Sequence, residues 1–334
     1  MARRKSSRGR NKIQPAVLTM PFVITLPPGT SNQSLTCDLS QCASLMNRRF
    51  YRQGINWAVA GFKLLSPSGV TAQFSTSKLP NSWVLANSWE KSMRTWSKMN
   101  REALAETESV RPKFLDFKIY ADSTHHNDGF AANLLPAGYV AGEWESSKVI
   151  IPETTTATGA VTSYELIAVG ANNPGAGSSG LNAKSLIEGY AASRGLPNVV
   201  DPNTPDDAAS YQQNWMMAIF NEGNLQDNEI IEDMIGENNL APYPFENDGV
   251  HTDTMYPNGA NQAPALQIHD IEFVTGTTIG GTTRLKGGNF PCGLIRFDVL
   301  NAVNPDQDNQ YLTLLIDMVP GNHRGYLCEP MTEM

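Results

Sequence analysis

The sequence holds no acidic residue before Asp38, only four cysteines in 334 residues, and no apolar run close to the roughly 18 residues that cross a bilayer. Each shortage excludes something. Cys37, Cys42, Cys292 and Cys328 form no CxxC pair, which excludes a zinc ribbon. They read as buried free thiols of a reducing compartment. The run AVLTMPFVITL contains a proline and is followed by no small-residue cleavage site, so it does not read as a secretory signal. Charged residues make up only 17% of the chain, while Gly, Pro, Asn, Ser and Thr are plentiful. Such a composition favours turns and short strands over long surface helices.

What is present is a charge asymmetry. Arg3, Arg4, Lys5, Arg8, Arg10 and Lys12 crowd into the first twelve residues among Ser, Gly and Asn, a composition that favours flexible coil. The other nineteen basic residues share the remaining chain with all 33 acids, a net of −14 there against −8 overall. A cationic arm of residues 1–15 on an acidic body (16–334) implies an arm that touches a polyanion, because clustered Lys and Arg release counterions from phosphates. The string RRKSSRGRNK reads equally as a nuclear localisation signal. A second basic group, Arg48, Arg49 and Arg52, is interleaved with Phe50 and Tyr51. Two readings of it stay open: a wall that meets phosphates beside the arm, or ion pairs to acidic loops.

The pattern predicts strands at 17–26, 56–65, 70–76, 113–122, 147–152, 161–170, 214–220, 265–277, 293–303 and 311–319. SPSG between the second and third of these predicts a hairpin. Helices are predicted at 39–51, 86–106 and 181–195; Asn87 or Ser88 caps the second, and Trp89, Met93, Trp96 and Leu104 line its apolar face. Tryptophans at helical spacing read as anchors to a neighbouring sheet or subunit before they read as base-stacking platforms. Strands do not alternate regularly with helices, which disfavours a doubly wound sheet. The expected class is all-β: an eight-stranded, two-sheet jelly roll with helices inserted in its loops.

Gly175-Ala-Gly177-Ser-Ser-Gly180 matches GxGxxG, with Asp201 about twenty residues on, but no βαβ series surrounds it; it reads as a surface loop rather than a nicotinamide site. The acids of 222–237 lack EF-hand spacing and read as a solvated helix face. No histidine pair has ligand spacing, and no GxSxG is present. No cofactor, metal site or catalytic residue is expected.

Five strings then point the same way: LSQCASLMNRRFYRQGINW, LPNSWVLANSWEKSMRTWSKMN, DPNTPDD, KGGNFPCGLIRFDV and IDMVPGNHRGYLCEPM. Together they resemble capsid proteins of small circular single-stranded DNA viruses that encode a replication initiator, especially those of marine and invertebrate-associated types. The resemblance runs from about residue 38 to 334, with a basic arm ahead of it. It implies a jelly roll, sixty copies of which close an icosahedral shell, an arm that faces a packaged single-stranded DNA genome, and localisation in the virion; a host nucleus is a possible site of assembly. The arm here is shorter and less rich in Arg than circovirus-type arms, so other inner-face residues, cations or polyamines must share the neutralisation of the genome. A coat protein of a small RNA virus, a monomeric carbohydrate-binding jelly roll and a nicotinamide-dependent oxidoreductase are the alternatives.

Overall fold

The computed structural model describes residues 15–105, 107–152, 163–171, 183–187, 190, 265–277, 281–303 and 309–334. In chain order these hold β1 (Thr19–Leu26), β2 (Gly29–Asp38), α1 (Leu39–Asn47), β3 (Ile55–Leu65), β4 (Thr71–Lys78), α2 (Trp83–Ala103), α3 (Ser123–Asp128), β5 (Lys148–Pro152), β6 (Ser163–Val169), β7 (Ala183–Ser185), β8 (Gln267–Thr275), β9 (Thr282–Phe290), β10 (Leu294–Val303), β11 (Gln310–Met318), β12 (Pro320–Gly321), β13 (Gly325–Tyr326) and β14 (Cys328–Pro330). The expected all-β character holds: the architecture is predominantly β, with two antiparallel sheets facing each other.

One sheet runs β1-β11-β3-β9; β14 returns to pair with the start of β3, Cys328 opposite Trp57. The other runs β2-β10-β4-β8. Four antiparallel pairs are nested in the chain: β1 with β11, β2 with β10, β3 with β9 and β4 with β8. Alternation builds the core. In β11, Leu312, Leu314, Ile316 and Met318 point inward while their neighbours do not. Phe62 of the first sheet meets Phe297 of the second at 5.7 Å between ring centroids, edge to face. Each such fully buried side chain stabilises the fold by about 1.5–3 kcal/mol.

Everything from residue 79 to 266 lies between β4 and β8. Its described part holds α2, α3 and the small sheet β5-β6-β7, and it has its own buried cluster, including Leu85, Trp89, Phe117, Ile119 and Tyr190. The two clusters meet around β10, whose Ile295 and Phe297 belong to the first and Leu294 to the second.

Several expectations are corrected. β3 and β4 do not form a hairpin: β3 lies in the first sheet and β4 in the second, because Leu64 and Phe74 must both point into one core from opposite sides. The segment 113–122 is not a strand apart from one bridge between Tyr120 and Val169. It is extended, but side chains supply most of its partners: Ile119 N donates to Gln53 Oε1 and Lys118 N to Ser147 Oγ. α2 starts three residues earlier than expected, because Ser82 rather than Asn87 or Ser88 accepts from Leu85 N. The helix expected at 181–195 begins as strand β7. β2 and β9 were not expected at all. Cys37, Cys42 and Cys292 are buried free thiols, whereas Cys328 is only partly buried. The expected strand 214–220, Gly175–Gly180, Asp201 and the acids of 222–237 lie outside the described residues.

Candidate nucleic-acid interface

α1 is held at its start by Asp38 and ends at Arg48, which takes a left-handed backbone (φ 52°) and turns the chain outward. The next residues alternate in role. Tyr51 and Gln53 are buried; Arg49 and Arg52 are exposed, with Phe50 half-buried. Tyr51 packs its ring 5.4 Å from Tyr326 and donates its hydroxyl to Arg324 O. Gln53 is the deeper anchor: its Nε2 donates to Asp38 Oδ2 and Ile119 O, and its backbone N donates to Asp116 Oδ2. This strip is extended and displays what it does not bury.

The chain arrives from the arm at the same place. Val17 N donates to Asn47 Oδ1, Tyr326 Oη donates to Val17 O, and Arg49 Nη1 reaches Pro15 O at 3.5 Å. The foot of the arm is therefore beside Arg49. The six arm residues Arg3, Arg4, Lys5, Arg8, Arg10 and Lys12 themselves lie outside the described residues.

Arg52 lies 5.5 Å over the Phe50 ring and donates to Leu115 O. Phe50 meets Phe114 at 5.3 Å, and Lys113 lies 5.4 Å over the Phe114 ring. Arg324 donates to Phe50 O. Among the described residues, no carboxylate comes within ion-pair distance of Arg48, Arg52 or Arg324. Of the two readings left open for the second basic group, ion pairing to described acids finds no partner at Arg48, while Arg52 acts on the Asp116 carboxyl without a close ion pair. Sequence reasoning missed Arg324, Lys113 and Phe114. The interleaved R-P-K-F of 111–114 is the available signal, obscured by the strand-like pattern of 113–122 that overlaps it.

Beyond this strip a groove against α2, about 310 Å³, is lined by Ser97, Asn100, Arg101, Leu104, Ala105, Arg111 and Leu115. The other face of α2 carries Arg94 and Lys98, which pair with Glu90 and Glu102 one turn away. Such exposed pairs contribute little.

Asp116 carries the main electrostatic perturbation near the strip. Burial pushes its carboxyl up to about 6, against the pull of the Gln53 N–H, Lys118 and Arg52. In the folded state it then binds its proton more tightly than in the unfolded chain, so ionised Asp116 costs stability above about pH 6, and the cost fades as pH falls toward 4. Asp116→Asn should be more stable than the parent at pH 7.5 by on the order of 1–2 kcal/mol, allowing for partial exposure, and the gap should fall to about half by pH 5 and close near pH 4. Urea midpoints of both proteins across that range check this; a gap independent of pH would refute it.

The described histidines do not form a ligand set. His125 Nδ1 accepts from Ala121 N, so Nε2 carries the proton and donates to Asn133 Oδ1, whose amide continues to Gln41 Oε1. Burial pushes His125 down to about 3, which keeps it neutral. No group of three His, Cys, Asp or Glu able to hold a metal occurs among the described residues. No helix among them is long and apolar enough to cross a membrane. Comparison with protein-family models, with curated proteins and with solved structures returns no match.

Proposed function

We propose that the chain is a coat protein of a small circular single-stranded DNA virus: a jelly roll that self-assembles into an icosahedral shell of sixty copies and packages its genome through the basic arm. One observation carries the proposal. Apart from the short β14, the eight strands of the two facing sheets, counted in chain order, pair first with eighth, second with seventh, third with sixth and fourth with fifth. Nested pairing is what a long hairpin rolled into two sheets would give and so supports the jelly-roll reading; β11 against β3 and β10 against β4 would be the contacts that the rolling adds. Jelly rolls also serve as lectins and enzymes. The coat-protein assignment is therefore supported by the cationic arm, by its foot beside Arg49, and by the resemblance of the five strings. Self-association is supported by β8, an edge strand that exposes Ile268 and Phe273 to 65% and 68%. The same reading makes the protein non-enzymatic, with no cofactor.

Purified protein should elute in the void volume of a sizing column and appear as closed isometric particles by negative-stain electron microscopy. Assembled with circular single-stranded DNA, the particles should protect it from nuclease. A protein that stays monomeric at all concentrations overturns the proposal. Particles that protect only RNA assign the chain to an RNA virus instead.

A further inference from the structure

We infer that the cavity under α2 is a base-binding pocket, in which an aromatic wall stacks a nucleobase of single-stranded DNA while the adjoining arginines hold its phosphates. The cavity, about 320 Å³, is lined by Trp89 and Trp96 of α2, Phe117, Met331, Arg52 and Asp116, among others. That volume lies at the small end of ligand sites. Phe117 is the hinge of the wall: Trp89 meets it at 5.9 Å and Trp96 at 5.6 Å, both inclined. Trp89 is 5% exposed and backs the wall, while Trp96 is the less buried of the two indoles.

The surroundings select the ligand. Ser97 and Leu115 line both this cavity and the neighbouring groove that holds Arg101 and Arg111. Among the described residues, neither Arg101 nor Arg111 pairs with a carboxylate. At the other rim, Arg52 leads through Phe50 to Arg49 and the arm foot. An aromatic pocket flanked by cations is the general form of a single-strand site, since every base has a π-face and every link a phosphate; the one carboxylate in the lining, Asp116, is offset by Arg52 and Lys118. An acidic or purely apolar partner would leave one of these two features unmatched. The geometry thus returns Trp89 and Trp96 to the base-stacking role that helical spacing alone disfavours; both also anchor the helix. The inference rests on the coat-protein proposal only for the source of the strand.

The test is a titration of the full chain, held as subunits, with a labelled single-stranded oligonucleotide of about ten nucleotides, read by anisotropy at several salt concentrations. Trp96→Ala should weaken binding about 5- to 150-fold, the range expected for one lost stacking contact, and leave the salt slope unchanged. Trp96→Phe, which keeps a ring, should bind within a few-fold of the parent. Ser97→Phe narrows the pocket without deleting an aromatic wall and should weaken binding as Trp96→Ala does, so a folding defect in one variant does not decide the result. Parental affinity in both Trp96→Ala and Ser97→Phe overturns the pocket. So does a salt slope that falls in step with affinity, because phosphate contacts have then been lost. The arm is judged separately, by the slope of a variant that lacks residues 2–12.

Discussion

Deletion of residues 2–12 is expected to give shells that assemble but hold little nucleic acid. The deletion removes six cations and no described contact of the body. β1 begins at Thr19, and the bonds that fix its entry, Val17 to Asn47 and Tyr326 to Val17, lie beyond the cut. The sandwich and its edges are therefore left as they were. The loss falls on affinity: for single strands the salt slope is about −0.7 per phosphate neutralised, so six lost cations make it shallower by about four. Between 50 and 200 mM salt the parent should lose roughly 300-fold more affinity than the deletion variant by the same relation. Ultraviolet absorbance ratios of purified particles give the content, and titrations across salt give the slope. A variant that packages like the parent refutes the role of the arm. One that fails to assemble makes the arm a structural element as well. A slope that remains appreciable after deletion is expected too, since Arg49, Arg52, Arg101, Arg111 and Arg324 stay in place.

The elements legible in the sequence are those whose burial pattern is local. β1, β3, β10 and β11 alternate apolar with polar residues, or are apolar on both faces, and were anticipated to within two residues. β2 escaped because GTSNQSLTCD shows almost no apolar period: its outer residues are polar, and only its last three are buried. β9, TTRLKGGNF, carries two glycines and two cations, which argue against a strand by propensity alone. Gly287 is there because the carbonyls of Val59 and Ala60 leave no room for a Cβ, a contact set by a strand more than 200 residues away. The false hairpin has the same origin. SPSG is a good turn, but which sheet each flanking strand joins is decided by β9, β10 and β11, all near the other end of the chain. At the candidate site, Arg48, Arg49 and Arg52 were legible as a basic cluster next to aromatics. Arg324, Phe114 and the cavity were not, since they reach the strip only through tertiary packing.

The largest loss from a single side chain is expected at Asp38, because it ties the start of α1 to Gln53 of the basic strip. It is fully buried. Its Oδ1 accepts from Ser40 N at 2.9 Å, Gln41 N at 3.3 Å and Ser40 Oγ at 2.5 Å, which caps α1. Its Oδ2 accepts from Gln53 Nε2 at 3.0 Å and Trp144 Nε1 at 2.9 Å. Burial raises its pKa, and the hydrogen bonds from Ser40, Gln53, Trp144 and Gln41 oppose that shift; five donors converging on two oxygens are what a carboxylate requires and a neutral acid cannot fully satisfy. Asp38→Ala deletes the acceptor and leaves the donors in place. The cap alone is worth about 1 kcal/mol, and each buried donor left unsatisfied costs about 1–3 kcal/mol more. The sum, about 4 kcal/mol or above, is a large fraction of the roughly 5–15 kcal/mol that holds a domain folded. Asp38→Asn retains one acceptor and turns an amide against the other donors, so it should fall between the two. Gln53 is the shared partner of Asp38, Ile119 and Asp116, so the Asn variant should also loosen the segment that carries Arg52 and weaken DNA binding although no cation has been removed. Urea midpoints rank stability and the oligonucleotide titration ranks binding. An Asp38→Ala subunit with the parental midpoint would show that the strip is held by the packing of Tyr51 and Trp57 rather than by this carboxylate.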